Sequence, residues 1–156
     1  IESYEKEKEG YEKAIGDQRR KQPAIRHQDS LPGIGPVGAV KIVSQVVTPE
    51  RFPDAGHFLS YSGLIKLERK SGMMSYGRKN SRYCRELKSV YKTAALATIG
   101  GDNEFNDYYE SLIQKGYADY NARHKVARRL AVLSWGIFKS QKKYQRRLYV
   151  KDTQVV

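Results

Sequence analysis

The sequence predicts a mostly α-helical protein, and three features of its 156 residues support that prediction. Apolar residues recur at helical spacing in four segments, which start near residues 36, 87, 105 and 119. Prolines or capping residues precede several of the predicted helices and glycines follow them, as expected at helix starts and ends. Residues 64–80 lose the helical period and carry Gly72 and Gly77, which predicts an irregular basic loop or a short two-stranded β-ribbon.

The predicted organisation has three parts. Residues 1–22 are interpreted as the end of a coiled-coil stalk, and residues 23–140 as one compact helical domain. Residues 141–156 form a basic tail, predicted to be mobile or ordered only on a partner. The chain begins at Ile1, without a methionine and in the middle of a pattern, so we expect it to be a piece of a longer protein.

The coiled-coil prediction depends on a heptad register in the first segment. Ile1, Tyr4, Tyr11 and Ile15 all fall on the apolar a and d positions of that register. A coiled coil here predicts a homo-oligomer, either a dimer or a tetramer. The alternative is a solvated helix without a partner.

A turn rich in glycine and proline precedes the most apolar helix. Pro23 is predicted to open a short helix, and Pro36 opens the apolar helix that runs to Val46. The pattern is similar to the hairpin of helix-hairpin-helix modules, in which backbone N–H groups contact phosphates; here Gly33 and Gly35 would do so. The alternative is a turn that only connects two packed helices.

The later elements are predicted from their boundary residues. Thr48 and Asp54 are expected to cap two short helices, the second of which ends at Gly63. Glycines then close the two following helices, at Gly100 and Gly116. The last helix is predicted to run from about residue 119 to residue 139.

The charge of the chain indicates a polyanionic partner. Twenty-nine Lys and Arg residues against seventeen Asp and Glu residues give a formal net charge of +12, and the sequence pI is about 9.8. Nucleic acid is favoured over a membrane, because no apolar run is long enough to span one. The single cysteine, Cys84, and the lack of a signal peptide favour a reducing intracellular setting.

Basic residues concentrate in two places. Eight of them lie between residues 64 and 88, against two acids, and Tyr76 and Tyr83 are interleaved with them for stacking on bases. The eight are Lys66, Arg69, Lys70, Arg78, Lys79, Arg82, Arg85 and Lys88. The second cluster lies on the last helix: Arg123, His124, Lys125, Arg128 and Arg129. A charged loop exposed to solvent is the alternative for the first cluster.

The residues alone do not select a catalytic group. A serine nucleophile needs a base and cations around the phosphate it attacks, and Ser71 lies among such cations. We predict no metal site in this chain, because the aspartates are scattered and the three histidines lack ligand spacing. His27, His57 and His124 are interpreted as surface or packed residues. A non-catalytic module that binds nucleic acid therefore remains open as a second function.

A resemblance to a known family favours the catalytic function. The following segments carry it, in this order: Leu31-Pro-Gly-Ile-Gly-Pro36, Glu50-Arg-Phe-Pro-Asp54, Tyr61-Ser-Gly-Leu64, Arg69-Lys-Ser-Gly72, Gly77-Arg78, Leu87-Lys88, Ala94-Ala95 and Ala127-Arg-Arg-Leu-Ala131 with Trp135. In order and spacing, residues 30–140 resemble the C-terminal domain of the insertion-sequence 110/116/902 transposases.

The resemblance implies a site around one serine. Ser71 would attack a DNA phosphate and form a transient 5′-phosphoserine link, and Gly72 would allow the close approach. We further predict that four cations hold the scissile phosphate: Arg69, Lys70, Arg78 and Arg82. Arg123, Arg128 and the glycine turn at Gly33 and Gly35 are predicted to grip flanking DNA or guide RNA, and Lys79, Arg85 and Lys125 are further predicted contacts with phosphate or nucleic acid. In the segment Asn80-Ser-Arg-Tyr-Cys84, Arg82 is the nearest substitute for a lysine found in the family.

The resemblance also implies parts outside this chain. A separate N-terminal, RNase H-like domain would carry four acidic ligands for Mg²⁺, and a coiled coil would join the two domains. A structured bridge RNA guides some relatives. A protein of this kind would act on DNA in the cytoplasm of a prokaryote, at the nucleoid, and the present fragment alone would bind nucleic acid without exchanging strands.

Overall fold

The computed structural model describes residues 2–65, 70–71, 74–75 and 82–146. Those ranges are mostly helical, as predicted, and contain seven α-helices, one short 3-10 helix and two short strands. In chain order they are α1 (Glu2–Lys21), α2 (Pro23–Asp29), α3 (Pro36–Val46), the 3-10 helix (Pro49–Arg51), α4 (Ala55–Tyr61), β1 (Lys70–Ser71), β2 (Met74–Ser75), α5 (Arg85–Thr98), α6 (Glu104–Gln114) and α7 (Asp119–Ser140).

Helix α7 lies at the centre of the domain. It packs against α2, α4, α5 and α6, and its inner face is fully buried at Val126 and Leu130. Aromatic side chains fill the space beside it, with Phe58 and Tyr91 in an edge-on contact at 6.2 Å between ring centroids. Burial of these large apolar groups supplies most of the stabilisation.

The predicted hairpin is a tight turn between α2 and α3. Gly35 precedes α3 in an extended conformation, and Pro36 occupies its first turn, where a missing N–H costs nothing. Gly33 has a φ of 78°, in the region that favours glycine. The turn therefore leads into α3 at Pro36 as predicted, whereas its similarity to a helix-hairpin-helix module and its contact with phosphates stay predictions.

Helix starts follow the predicted capping residues in part. The Asp54 carboxylate accepts a hydrogen bond from the backbone N–H of His57 at 2.9 Å and caps α4 as predicted. The predicted side-chain cap at Thr48 is wrong, because its hydroxyl donates to the carboxylate of Glu50 instead. A cap that the sequence analysis missed lies at Asn103, which accepts from two N–H groups at the start of α6.

Helix α1 packs against α2 and α3. Tyr4 and Tyr11, two of the predicted coiled-coil positions, are 78% and 70% exposed. That exposure leaves an aromatic surface for a partner helix, and the coiled coil stays a prediction.

The first part of the predicted tail packs onto the domain. The backbone N–H of Tyr144 donates to the hydroxyl of Ser30 at 2.8 Å, and its phenol donates to Glu104. Arg146 pairs with the same carboxylate at 3.1 Å. Residues 147–156 lie outside the described residues, so mobility of the tail stays a prediction.

Candidate nucleic-acid interface

The two ends of the basic segment meet at its base. The backbone N–H of Cys84 donates to the carbonyl of Tyr61 at 2.7 Å. The ring of Tyr83 lies directly on Gly63, where an added Cβ would come within 2.5 Å of the ring. These contacts join residues 61–63 to residues 83–84 and thereby anchor both ends of the segment between Leu64 and Arg82.

Within that segment the described backbone forms a two-stranded antiparallel ribbon, which is one of the two alternatives, an irregular loop or a short ribbon, that the sequence predicted for this position. Lys70 pairs with Ser75, and Ser71 pairs with Met74. Ser71 therefore lies beside the turn of the ribbon. Four of the predicted site residues lie outside the described residues: Arg69, Gly72, Arg78 and Lys79.

His124 of α7 holds the start of the basic segment. Its Nε2 lies 2.8 Å from the carbonyl oxygen of Leu64, so the ring donates there as the Nε2–H tautomer. Its Nδ1 is buried and has no hydrogen-bond partner among the described residues. Burial is the main cause that lowers the pKa of His124, and the cations of Arg128, Lys92 and Lys88 lower it further, against the raising effect of the Leu64 hydrogen bond.

This lowered pKa predicts a pH dependence of stability. The neutral ring is favoured in the folded state, so its contribution is complete above the unfolded-state pKa of about 6.5 and is lost as the pH falls toward the lower folded-state pKa. We expect wild type to lose unfolding free energy between about pH 7.5 and about pH 5.5. His124→Gln keeps a donor for Leu64 but does not titrate, so it should lose less; urea unfolding at both pH values measures this. An equal loss in both proteins would contradict the assignment.

Aromatic rings and cations alternate around His124. Its ring stacks on Tyr120, with centroids 6.3 Å apart and an interplanar angle of 7°. The ammonium of Lys92 lies 5.4 Å from the centroid of the Tyr120 ring, and that of Lys88 lies 4.7 Å from the Tyr83 ring. Such pairs of cation and aromatic ring are typical of surfaces that bind single-stranded nucleic acid. We call Tyr83, Lys88, Lys92, Tyr120 and His124 the ribbon base.

The remaining predicted cations lie near the ribbon base or on α7. Arg82 and Arg85 are exposed beside Tyr83. Arg123 forms an ion pair with Asp119, so the positive charge of Arg123 is already matched by an acid. Asp119 also accepts a hydrogen bond from the Tyr109 hydroxyl at 2.7 Å. Lys125 and Arg128 line an open cleft with Arg129.

The two hairpin glycines have different surroundings. A Cβ at Gly33 would collide with the backbone carbonyl of Ala94 in α5, whereas a Cβ at Gly35 would meet nothing within 4 Å. Gly33 thus fixes the hairpin against α5, and Gly35 is open on the surface. Of the two, Gly35 has the space for the phosphate contact that the sequence predicts.

The described residues contain neither a membrane-spanning helix nor a cluster of metal ligands. No helix in the described ranges is both long and apolar enough to cross a membrane. No group of three or more His, Cys, Asp or Glu side chains in the same ranges is arranged to hold a metal ion.

Sequence reasoning missed Lys92 and Tyr120 as members of the ribbon base. Their spacing held a usable pattern: Lys88 and Lys92 are four residues apart, as are Tyr120 and His124, so each pair shares one helix face. The spacing does not show that these two helix faces contact each other, because that contact depends on the packing of α5 against α7.

A helical domain that joins an anchored basic ribbon to a surface of cations and aromatic rings has the features expected of a nucleic-acid-binding domain. Comparison with known families narrows this class. Residues 26–110 match the model of the transposase IS116/IS110/IS902 family. The chain belongs to that family, as the resemblance in the sequence indicated.

Individual relatives agree with this assignment. The chain is similar to the IS116 insertion-element protein of Streptomyces clavuligerus, with 27% identity over 115 residues that cover 73% of this chain and 29% of the relative. Identity to the IS110 insertion-element protein of Streptomyces coelicolor is 31% over 106 residues, or 67% of this chain and 26% of the relative. A pilin gene-inverting protein of Moraxella bovis is 22% identical over 134 residues, covering 81% and 42%. The chain thus spans less than half the length of these relatives.

Proposed function

We propose that this chain is the domain of an insertion-sequence transposase that supplies a serine nucleophile, Ser71, for DNA strand cleavage and exchange. The observation that carries the proposal is the family match, since it extends over residues 26–110 and includes the hairpin, the ribbon and Ser71. The name of the Moraxella bovis relative, a gene-inverting protein, is in keeping with DNA rearrangement as the activity.

The anchored ribbon supports Ser71 as the residue that reacts. A nucleophile must be held about 3–3.5 Å from the atom it attacks, and a displacement of about 1 Å can cost about 100-fold in rate, so a segment with fixed ends favours reaction. The hydrogen bonds at Cys84 and His124 fix both ends of this segment. Register places Ser71 opposite Met74, at the tip side of the ribbon.

The proposed step is a transesterification at a DNA phosphate. The Oγ of Ser71 forms a bond to phosphorus, and the bond from phosphorus to the 3′ oxygen breaks. The serine proton is lost to a base, and the released 3′ oxygen takes up a proton. Arg69, Lys70, Arg78 and Arg82 would neutralise the phosphate as charge develops on its oxygens.

Other parts of the full-length protein complete the proposal. An N-terminal domain with acidic Mg²⁺ ligands would act together with this one, and the helix that contains Tyr4 and Tyr11 would join copies through a coiled coil. The ribbon base, Arg85, Lys79 and the hairpin would bind flanking DNA or a structured guide RNA. The site of action would be DNA in the bacterial cytoplasm.

Trapping of a covalent complex tests the proposal. The full-length protein is incubated with a labelled DNA target and denatured, and protein-linked DNA is measured on a gel. Wild type should give a linked product through Ser71, and Ser71→Ala should give none, because the alanine has no oxygen to bond to phosphorus.

Ser75→Ala is the matched control. Ser75 lies on the paired strand, opposite Lys70. Its substitution therefore removes one hydroxyl oxygen from the same ribbon, as Ser71→Ala does. Ser75→Ala should keep the linked product. A protein-linked product that persists in Ser71→Ala contradicts the assignment of Ser71. If wild type binds the DNA but gives no linked product, the chain is the non-catalytic binding module instead.

A further inference from the structure

An open cleft lies between α4, α6 and α7 and is not used by the proposed reaction. Its volume is about 210 Å³, and it is lined by Leu59, Tyr108, Lys125, Arg128, Arg129 and Val132. The volume is below the roughly 300–1,000 Å³ of sites that enclose cofactors or drug-sized ligands. The cleft therefore suits a group smaller than such ligands.

The lining of the cleft combines two kinds of chemistry. Lys125, Arg128 and Arg129 contribute positive charge, and no carboxylate is among the described lining residues. Leu59, Tyr108 and Val132 contribute an apolar surface, with Tyr108 half-buried. Cations beside an aromatic surface match a group that has one flat apolar part and one anionic part.

The position of Lys125 is constrained by packing. Its ammonium lies 4.7 Å from the centroid of the Tyr117 ring, which limits the positions that the ammonium occupies. Arg128 is exposed, lines the cleft and lies four residues after His124 of the ribbon base, on the same face of α7. Arg128 thus lies between the cleft and the ribbon base along α7.

We propose that this cleft binds one unpaired nucleotide of a single-stranded nucleic acid. The base lies on Tyr108 and its apolar neighbours, and Lys125 and Arg128 bind the adjacent phosphates. A duplex does not fit this site, because both faces of its bases are covered by their stacked neighbours. The inference deepens the proposed function, since it rests on nucleic acid as the partner.

Binding of labelled oligonucleotides to the full chain tests this proposal by fluorescence anisotropy. The probes are a thymidine strand, an abasic strand of the same length, a uridine strand and a duplex. Tyr108→Leu should weaken binding of the thymidine strand at least about fivefold and leave the abasic strand unchanged, because only the base contact is lost. Tyr108→Phe should bind like wild type. The tighter of the thymidine and uridine strands identifies the source as DNA or RNA.

Charge variants test the phosphate contacts. Lys125→Gln with Arg128→Gln should weaken binding of both the thymidine and the abasic strand. Lys6→Gln with Lys13→Gln on α1 removes the same charge from exposed positions of another face, and should have a clearly smaller effect. Equal effects of the two pairs, or equal loss of both strands in Tyr108→Leu, overturn the proposal.

A second measurement uses the wild-type chain, so it does not depend on whether a variant folds. Irradiation of the wild-type chain with a strand that contains 5-iodouracil should crosslink Tyr108, and peptide mapping locates the link. Crosslinks confined to other residues overturn the proposal. Ser71→Ala should crosslink like wild type, so failure of the catalytic proposal leaves this result unaffected.

Discussion

Replacement of Gly33 by alanine is expected to lower the free energy of unfolding by about 3 kcal/mol or more. Two costs add at this position. The φ of 78° places a residue with a Cβ in the left-handed region. The new methyl also collides with the backbone carbonyl of Ala94 and lies 2.9 Å from Cγ2 of Thr98. The collision is removed only if the hairpin separates from α5. Urea unfolding of wild type and Gly33→Ala measures the loss of unfolding free energy.

Gly35→Ala is the control for this prediction. Gly35 has a φ of −84°, which any residue adopts, and no atom lies within 4 Å of an added Cβ. The expected loss is below about 1 kcal/mol, the size of a changed N-cap residue. Equal losses in the two variants would show that the collision at Gly33 relaxes without cost.

The helices could be predicted because their signals are local. Pro23, Pro36 and Asp54 lie at helix starts, and the apolar positions of α5 and α6 repeat at helical spacing. These are properties of single segments, which a sequence displays directly. Glycine and serine residues near Ser71 likewise predicted an irregular loop or a short ribbon, and the described strands form the ribbon.

The contacts that build the site and attach the tail could not be predicted, because they join distant residues. The hydrogen bond from His124 to Leu64 spans 60 positions, and the one from Tyr144 to Ser30 spans 114. Helical spacing shows which face of α7 carries His124, but not which backbone carbonyl that face meets. His124 was interpreted as a surface or packed residue, and its packing against Leu64 gives it a place at the candidate site.

A buried polar network is the second feature that spacing alone does not reveal. The Ser134 hydroxyl donates to Oε1 of Gln28 at 2.7 Å and accepts from the Tyr91 hydroxyl at 2.7 Å. The amide of Gln28 donates to the Ser134 carbonyl at 3.0 Å. All three residues are completely buried, and burial raises the pKa of Tyr91. The network joins α2, α5 and α7 at the centre of the core.

Ser134→Ala is expected to lower the free energy of unfolding by about 2–4 kcal/mol, because it leaves two buried groups, the Tyr91 hydroxyl and Gln28 Oε1, without their partner. Tyr91→Phe should cost only about 1 kcal/mol, because Ser134 can still donate to Gln28. The double variant should then lose less than the sum of the single losses, because the phenylalanine removes one of the groups that Ser134→Ala leaves unpaired. Urea unfolding of the four proteins measures this coupling. Additive losses would mean that Tyr91 and Ser134 stabilise the core separately, and that α5 is attached to α7 by apolar packing alone.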